Sequence, residues 1–273
     1  MKRLPFILLV VLTMASAASC KKDNPSPSKD NPSASGDKPS TSGGDSSKYG
    51  IDGVTPLPDA IDLGTVVNGK KIKWATFNVG ASKESEFGDY YAWGDVDTYY
   101  TSQEPLSWKA GKEAGFDWPS YRFDNSAEKD GSSFSKYTGS GALVLEAADD
   151  VAAKKLGGNW RMPTAEEWEA LITVCSLESA TVEGVKGIKA TGSNGLSIFL
   201  PAAARGYLTG FNSGGSDGRT GEFGYYWSSS MLSSSDGTPD NAWAYVSSTT
   251  DGTVSKDYFL RCFGFSVRPV CTE

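Results

Sequence analysis

Histidine is missing altogether: among 273 residues there are 26 Lys and Arg, 33 Asp and Glu, and no imidazole. Without it the chain cannot build a Ser-His-Asp or Cys-His nucleophile pair, a His-ligated zinc site or a histidine switch near neutral pH. Carboxylate chemistry, lysine or cysteine nucleophiles, oxygen-ligated calcium, or no chemistry at all remain. Cysteine is scarce, at four residues. The apolar run from Leu4 to Leu12 is too short to span a bilayer. What is abundant instead is glycine, with 31 residues, and aromatics, with 12 Phe, 12 Tyr and 8 Trp, against only 38% apolar residues. This balance is that of a loop-rich globular domain, not of a helical bundle or a membrane protein.

The amino terminus has the form of an export signal. Lys2 and Arg3 precede the apolar run, and small residues then lead to a cysteine. Residues 1–19 are expected to be removed. The sequence Ala17-Ala18-Ser19-Cys20 resembles the lipobox of bacterial lipoproteins, which implies acylation of Cys20 as the first mature residue. Loss of Lys2 and Arg3 leaves a chain still more acidic than the −7 of the full sequence. Nucleic acid and anionic lipid surfaces are therefore not expected as partners of the domain, and membrane attachment would come from the acyl chains. From Lys21 to Lys48 the only apolar side chain is Ala34. Residues 20–48 are thus expected to form a lipidated, disordered tether. It would reach roughly 30 Å as a coil and about 95 Å fully extended. Lys21 after the lipidated cysteine resembles an outer-membrane sorting signal, and Lys21-Lys22-Asp23 is similar to the export tags of surface-displayed lipoproteins.

Residues 49–273 form the remaining domain. Thr65-Val66-Val67 and Lys71 to Phe77 read as strands joined by a turn at Asn68-Gly69. Gly88 to Gly94 is aromatic and glycine-bounded, which suggests a short buried strand or turn. Residues 98–140 lack a period and read as long loops packed by their own aromatics. A helix is expected from about Leu145 to Leu156, stopped by Gly157. Asp149 and Asp150 read as its solvated turn. A second helix begins at Thr164, whose hydroxyl and Glu167 have capping-box spacing, and Trp168, Leu171, Ile172 and Cys175 form its apolar face. Glu166 and Glu169 read as solvated first-turn carboxylates favoured by the helix dipole. Beyond Cys175 short strands and turns recur, at Gly187–Ala190, Leu196–Pro201, Tyr225–Ser229, Ala242–Ser247 and Phe265–Val270, a spacing that suits antiparallel pairing.

Four motifs recur in order. They are Gly158-Asn159-Trp160-Arg161-Met162-Pro163-Thr164 with Glu167-Trp168, Ser197-Ile198-Phe199-Leu200-Pro201-Ala202-Ala203 with Arg205, Gly224-Tyr225-Tyr226-Trp227-Ser228-Ser229-Ser230, and Gly264-Phe265-Ser266-Val267-Arg268-Pro269-Val270. Together they resemble the Fibrobacter succinogenes major paralogous domain family, abundant in Bacteroidetes lipoproteins. The resemblance implies an α+β, C-type-lectin-like domain with two helices, a twisted antiparallel sheet and a long-loop face carrying ligand contacts. It also implies a disulfide between Cys175 and Cys271, where lectin-like folds join helix to terminal strand. Such a bridge would add roughly 4 to 5 kcal/mol in the chain-entropy model. Cys262 is then left single. The fold's formylglycine-generating enzymes need a reactive cysteine pair with copper, so a lone thiol argues against that chemistry; its bland reading is a small buried hydrophobe.

Many lectins of this fold hold sugars through calcium, but the expected Glu-Pro-Asn-like or Gln-Pro-Asp-like tripeptide is absent. Asp236 to Asn241 and Asp251 to Asp257 carry oxygen ligands that turn chemistry explains equally well. No cofactor is expected, with calcium the open alternative. The C-terminal third sets Tyr225, Tyr226, Trp243, Tyr245, Tyr258, Phe259 and Phe263 among Ser, Asn, Asp and Gly, the composition of adaptable recognition loops. Trp227 and Trp243 read as core. Tyr245, Asp257, Tyr258 and Arg261 are the expected ligand contacts, and Arg268 is expected to anchor a buried acid or carbonyl. The resulting expectation is a non-catalytic module, lipid-anchored in the outer membrane and exposed, that binds an extracellular protein or carbohydrate. Two alternatives stay open: a fibre-tip adhesive subunit or hypervariable retroelement target, and a metal-thiol enzyme using Cys262.

Overall fold

The computed structural model describes residues 48–139, 143–212, 221–232 and 240–272. Cys20, the leader and nearly all of the tether lie outside these residues, as do Asp236 to Pro239 of the first calcium candidate. Strands β1 (Ala60–Val67) and β2 (Lys70–Ala75) form the expected hairpin. Asn68 and Gly69 both adopt positive φ, 51° and 73°, which gives the primed turn that matches strand twist. Next come β3 (Tyr100–Gln103) and β4 (Leu106–Trp108), then helices α1 (Val151–Leu156) and α2 (Ala165–Val174). A meander follows, of β5 (Ser176–Val182), β6 (Val185–Thr191) and β7 (Ser197–Pro201), then the short pair β8 (Arg205–Tyr207) and β9 (Gly210–Asn212). The chain closes with β10 (Phe223–Met231), β11 (Asn241–Ser248), β12 (Thr253–Leu260) and β13 (Val270–Thr272), the last returning to pair with β2.

The α+β, C-type-lectin-like expectation is corrected by this arrangement. The described residues hold thirteen strands in five small antiparallel sheets, against helices of only six and ten residues. Two-residue periodicity governs most of the chain after Cys175, and the glycine-bounded aromatics pair as isolated bridges, such as Tyr91 with Phe265. The expected helix over Leu145 to Leu156 shortens for a specific reason. Asp150 is its N-cap and accepts from Ala152 N at 2.9 Å and Ala153 N at 3.1 Å, so the chain before it is not helical. Asp149 and Asp150 are accordingly buried, not solvated. The α2 capping box forms as its spacing predicts, with Thr164 and Glu167 exchanging side chain-to-backbone hydrogen bonds.

Two hydrophobic clusters lie on opposite faces of the β10–β11–β12 sheet. Tyr226 and Tyr245 face the cluster under α2, where Trp168 stacks on Tyr245 at 5.1 Å and meets Trp74 edge-on at 4.8 Å. Tyr225 and Trp227 face the aromatic cluster built from residues 90–137. Phe116 sits in that cluster between Gly206 and Gly264, where an added Cβ would come within 2.2 and 2.3 Å of its ring. Arg268 is fully buried and bonds as expected of an anchor. It donates to Asn78 Oδ1 at 2.8 Å and to the carbonyls of Ala75, Thr76 and Phe199 at 3.0, 2.9 and 2.8 Å. No helix among the described residues is long and apolar enough to cross a membrane.

A charged network closes the aromatic side. Arg122 bridges Asp95 and Asp149, and Lys136 and Tyr137 also reach Asp149. Burial opposes ionisation of Asp149, but the bonds from Lys136 and Tyr137 hold its carboxyl below the ordinary value. At Asp95 burial prevails and pushes the pKa up to about 6. A folded-state pKa raised above the unfolded one adds stability below about pH 4 that is lost as pH rises through 6, amounting to about 3 kcal/mol. Melting curves of the Asp95→Asn variant between pH 4 and 7 are therefore expected to lose that component of the wild-type slope; an unchanged slope would refute the assignment.

Candidate functional site

An open groove of about 520 Å³ lies where the start of α2 meets the β10–β11–β12 sheet. Its floor is Trp243, with Met231, Leu232 and Val144 along one side and Thr164, Glu166, Glu169, Ser230 and Lys256 supplying polar groups. Local sequence explains each contribution. The run Ser228-Ser229-Ser230 coincides with a register shift in the β10–β11 pairing, and its hydroxyls take up the backbone groups that the interrupted ladder frees. Ser228 Oγ donates to Trp243 O at 2.8 Å, while Ser230 Oγ accepts from Ala165 N at 3.1 Å and ties the bulge to the start of α2. Arg161 grips the buried Glu167 through two bonds of 2.5 and 2.7 Å, which fixes the angle at which that helix enters.

Across β11 and β12, Trp243 lies directly opposite Tyr258, and their rings meet edge-to-face at 6.2 Å. Lys256 places its ammonium 4.1 Å from the Trp243 ring centroid and pairs with Glu169 at 2.5 Å. Both partners are partly exposed, at 33% and 51% of their side chains, so the pair is a weak one that yields readily to a ligand. The site thus combines a flat apolar platform, two carboxylates one helical turn apart and one amine. That set suits a ligand with an apolar face and several hydroxyls. Glu166 and Glu169 are solvent-facing, as expected, but only Glu166 lies in the first turn, Glu169 being the fifth residue of α2; both line the groove.

The four expected contacts do not gather at one place. Tyr245 is fully buried and donates to Ala165 O at 2.7 Å. Tyr258, 53% exposed, stands beside the groove. Asp257, also exposed, is adjacent in β12 and therefore points to the opposite face of the sheet. Arg261 is fully buried, with Phe134 4.0 Å from its guanidinium carbon and Trp93 and Tyr121 within 5.6 Å. Burial pulls its pKa below the ordinary value, and its Nε and Nη2 have no hydrogen-bond partner among the described residues. It is a core cation, corrected from a ligand contact. Trp227 is core as expected. Trp243, read from sequence as core, is only half buried and floors the groove; its cross-strand pairing with Tyr258 was the available signal, and reading it requires the register.

No bridge joins Cys175 and Cys271. Val270 points into the same cluster as Cys175, so the next residue of β13 projects from the other face of its sheet. Cys262 is fully buried, and burial raises its thiol pKa strongly, while that of Cys175 is pushed up to about 11. Neither is poised as a nucleophile. Among the described residues no group of three or more Cys, Asp or Glu side chains could hold a metal ion. No family model matches the chain, and no curated protein or solved structure matches it either.

Two outcomes follow from this geometry. Alkylation of the folded protein at pH 7 is expected to spare Cys175 and Cys262 until denaturant is added, and rapid labelling of Cys262 in the native state would contradict its placement. Arg261→Ala is expected to lower stability by about 3 kcal/mol in urea titrations, whereas Arg261→Met, which keeps the packing, stays within about 1 kcal/mol of wild type. Equal losses from both would rule out a packing role.

Proposed function

We propose that the chain is a surface-tethered, non-catalytic binding module that recognises an extracellular carbohydrate through the Trp243 groove. The observation that carries this reading is the half-buried Trp243 ring, set between Tyr258 and the Glu166–Glu169–Lys256 group. Pyranose rings present an apolar C–H face and an equatorial belt of hydroxyls. The first is satisfied by a rigid indole, and the second by carboxylate acceptors and an ammonium donor. A protein partner fits less well: among the described residues, the exposed large apolar side chains beside the groove are Val144 and Tyr258, little for a protein interface core.

The tether and anchor complete the picture. The lipobox-like Cys20 would hold the chain in the outer membrane, the polar stretch to Lys48 would carry the domain clear of the headgroups, and the recurring motifs make membership in the Fibrobacter succinogenes major paralogous domain family the family reading we favour. A module that captures a ligand for other surface machinery needs no catalytic group of its own.

Glycan-array screening of the folded domain, followed by calorimetry on hits, tests the reading. Saturable binding of a neutral oligosaccharide is expected, weakened at least tenfold by Trp243→Ala with the melting temperature nearly unchanged. Absence of any glycan signal, or a hit indifferent to Trp243→Ala, would overturn it.

A further inference from the structure

On the opposite face of the β10–β11–β12 sheet a second feature has no role in the groove. Arg205 sits within 6 Å of four aromatic rings: its guanidinium carbon is 5.2 Å from the centroid of Tyr225, 5.7 Å from Phe259 and Phe263, and 5.8 Å from Tyr207. The rings brace one another, Tyr207 against Phe263 at 4.9 Å and Tyr225 against Phe259 at 5.7 Å. Despite this enclosure Arg205 makes no ion pair or side-chain hydrogen bond among the described residues, and its Nε is buried with no partner. A buried guanidinium nitrogen left unpaired is an uncommon expense for a folded protein. The contrast within this chain is direct, because Arg268 uses every one of its nitrogens.

The backbone holds Arg205 firmly in that position. Ala204, just before it, is buried and adopts a left-handed φ of 54°, a conformation that alanine takes only when its surroundings impose it. Bridges from Ala204 to Gly224 and from Gly206 to Gly264 fix β8 on both sides. The result is a cation held in a preformed aromatic cup, its Nε buried and its terminal Nη1 and Nη2 without partners among the described residues.

We propose that this cup is a subsite for the carboxylate of an acidic sugar, a hexuronate. Nε is buried, so the edge open to a ligand is the terminal Nη1–Nη2 pair, which matches a carboxylate in an end-on two-bond fork. A single arginine, with the Asp257 carboxylate on the same face of β12 and a net charge of −7 on the chain, favours a monoanion over a phosphate dianion. Tyr207, 40% exposed, and the half-buried Phe263 supply flat apolar surface for a sugar's C–H face, while exposed Asp257 supplies an acceptor for its hydroxyls. A peptide carboxyl terminus would leave its amide hydrogens without comparable partners here. This subsite stands on its own observations and is independent of binding in the Trp243 groove.

Calorimetric titration of the full chain with trigalacturonate tests the assignment, with a neutral trisaccharide, N-acetylphenylalanine and inorganic phosphate run in parallel. Saturable binding of trigalacturonate is expected, weakened at least tenfold by Arg205→Lys, which keeps the charge and removes the fork, and about threefold to tenfold by the exposed Tyr207→Ala. Trp243→Ala is expected to leave it unchanged, which separates this site from the groove. The proposal is overturned by an absence of trigalacturonate binding, by binding insensitive to both Arg205→Lys and Tyr207→Ala in variants that melt cooperatively, or by tighter binding of N-acetylphenylalanine or phosphate. Equal affinity of the Trp243→Ala variant for the neutral trisaccharide would likewise sink it.

Discussion

Burial of both faces of the β10–β11–β12 sheet is the constraint on which the rest of the structure depends. Successive side chains of a strand must point in opposite directions, so Tyr225 and Tyr226, or Trp243 and Ala244, belong to different surroundings. One face is closed by α2, the other by the aromatic cluster from the first half of the domain. Neither cover reaches fully across to β12. What is left uncovered at that strand is therefore two separate surfaces: Trp243, Lys256 and Tyr258 on one side, Asp257 and Phe259 beside Arg205 on the other.

Three arginines show how one side-chain type is put to different uses by its surroundings. Arg268 is surrounded by carbonyls, and burial still draws its pKa down to about 10. It ties the C-terminal segment to β2 and β7 and spends its whole donor set on backbone that would otherwise be unpaired. Arg261 is surrounded by π-faces and two distant carbonyls, Lys136 O and Tyr137 O at 3.4 Å, and works mainly by filling space between rings. Arg205 has rings and, among the described residues, no acceptor. Only the last retains terminal nitrogens, Nη1 and Nη2, open to a ligand.

Much of the local structure was legible in the sequence because it rests on short-range chemistry. Asn68-Gly69 can form the turn it does by backbone preference, Thr164 and Glu167 cap a helix by their spacing, and Arg268 in a motif of apolar residues has to find acceptors. Fold class was misread because two helical signals were given the weight of whole layers. In space α1 is six residues long, Asp150 having turned from helix interior to cap, and the strands dominate. The site was half legible. Aromatic composition near the C-terminus pointed to β11 and β12, but composition carries no direction, and Tyr245 and Tyr258 differ only in which neighbours the register gives them. Arg205 stood out only as a motif residue and Lys256 not at all, since their surroundings come from residues that are distant in the chain.

Binding at β12 can be observed residue by residue through the indole N–H resonances of the eight tryptophans. On titration with a bound neutral oligosaccharide, the Trp243 signal should shift with saturation while those of the buried Trp74, Trp93, Trp168 and Trp227 hold still. A saturating ligand that moves the core indoles and leaves Trp243 in place would contradict a binding site on the exposed side of β12.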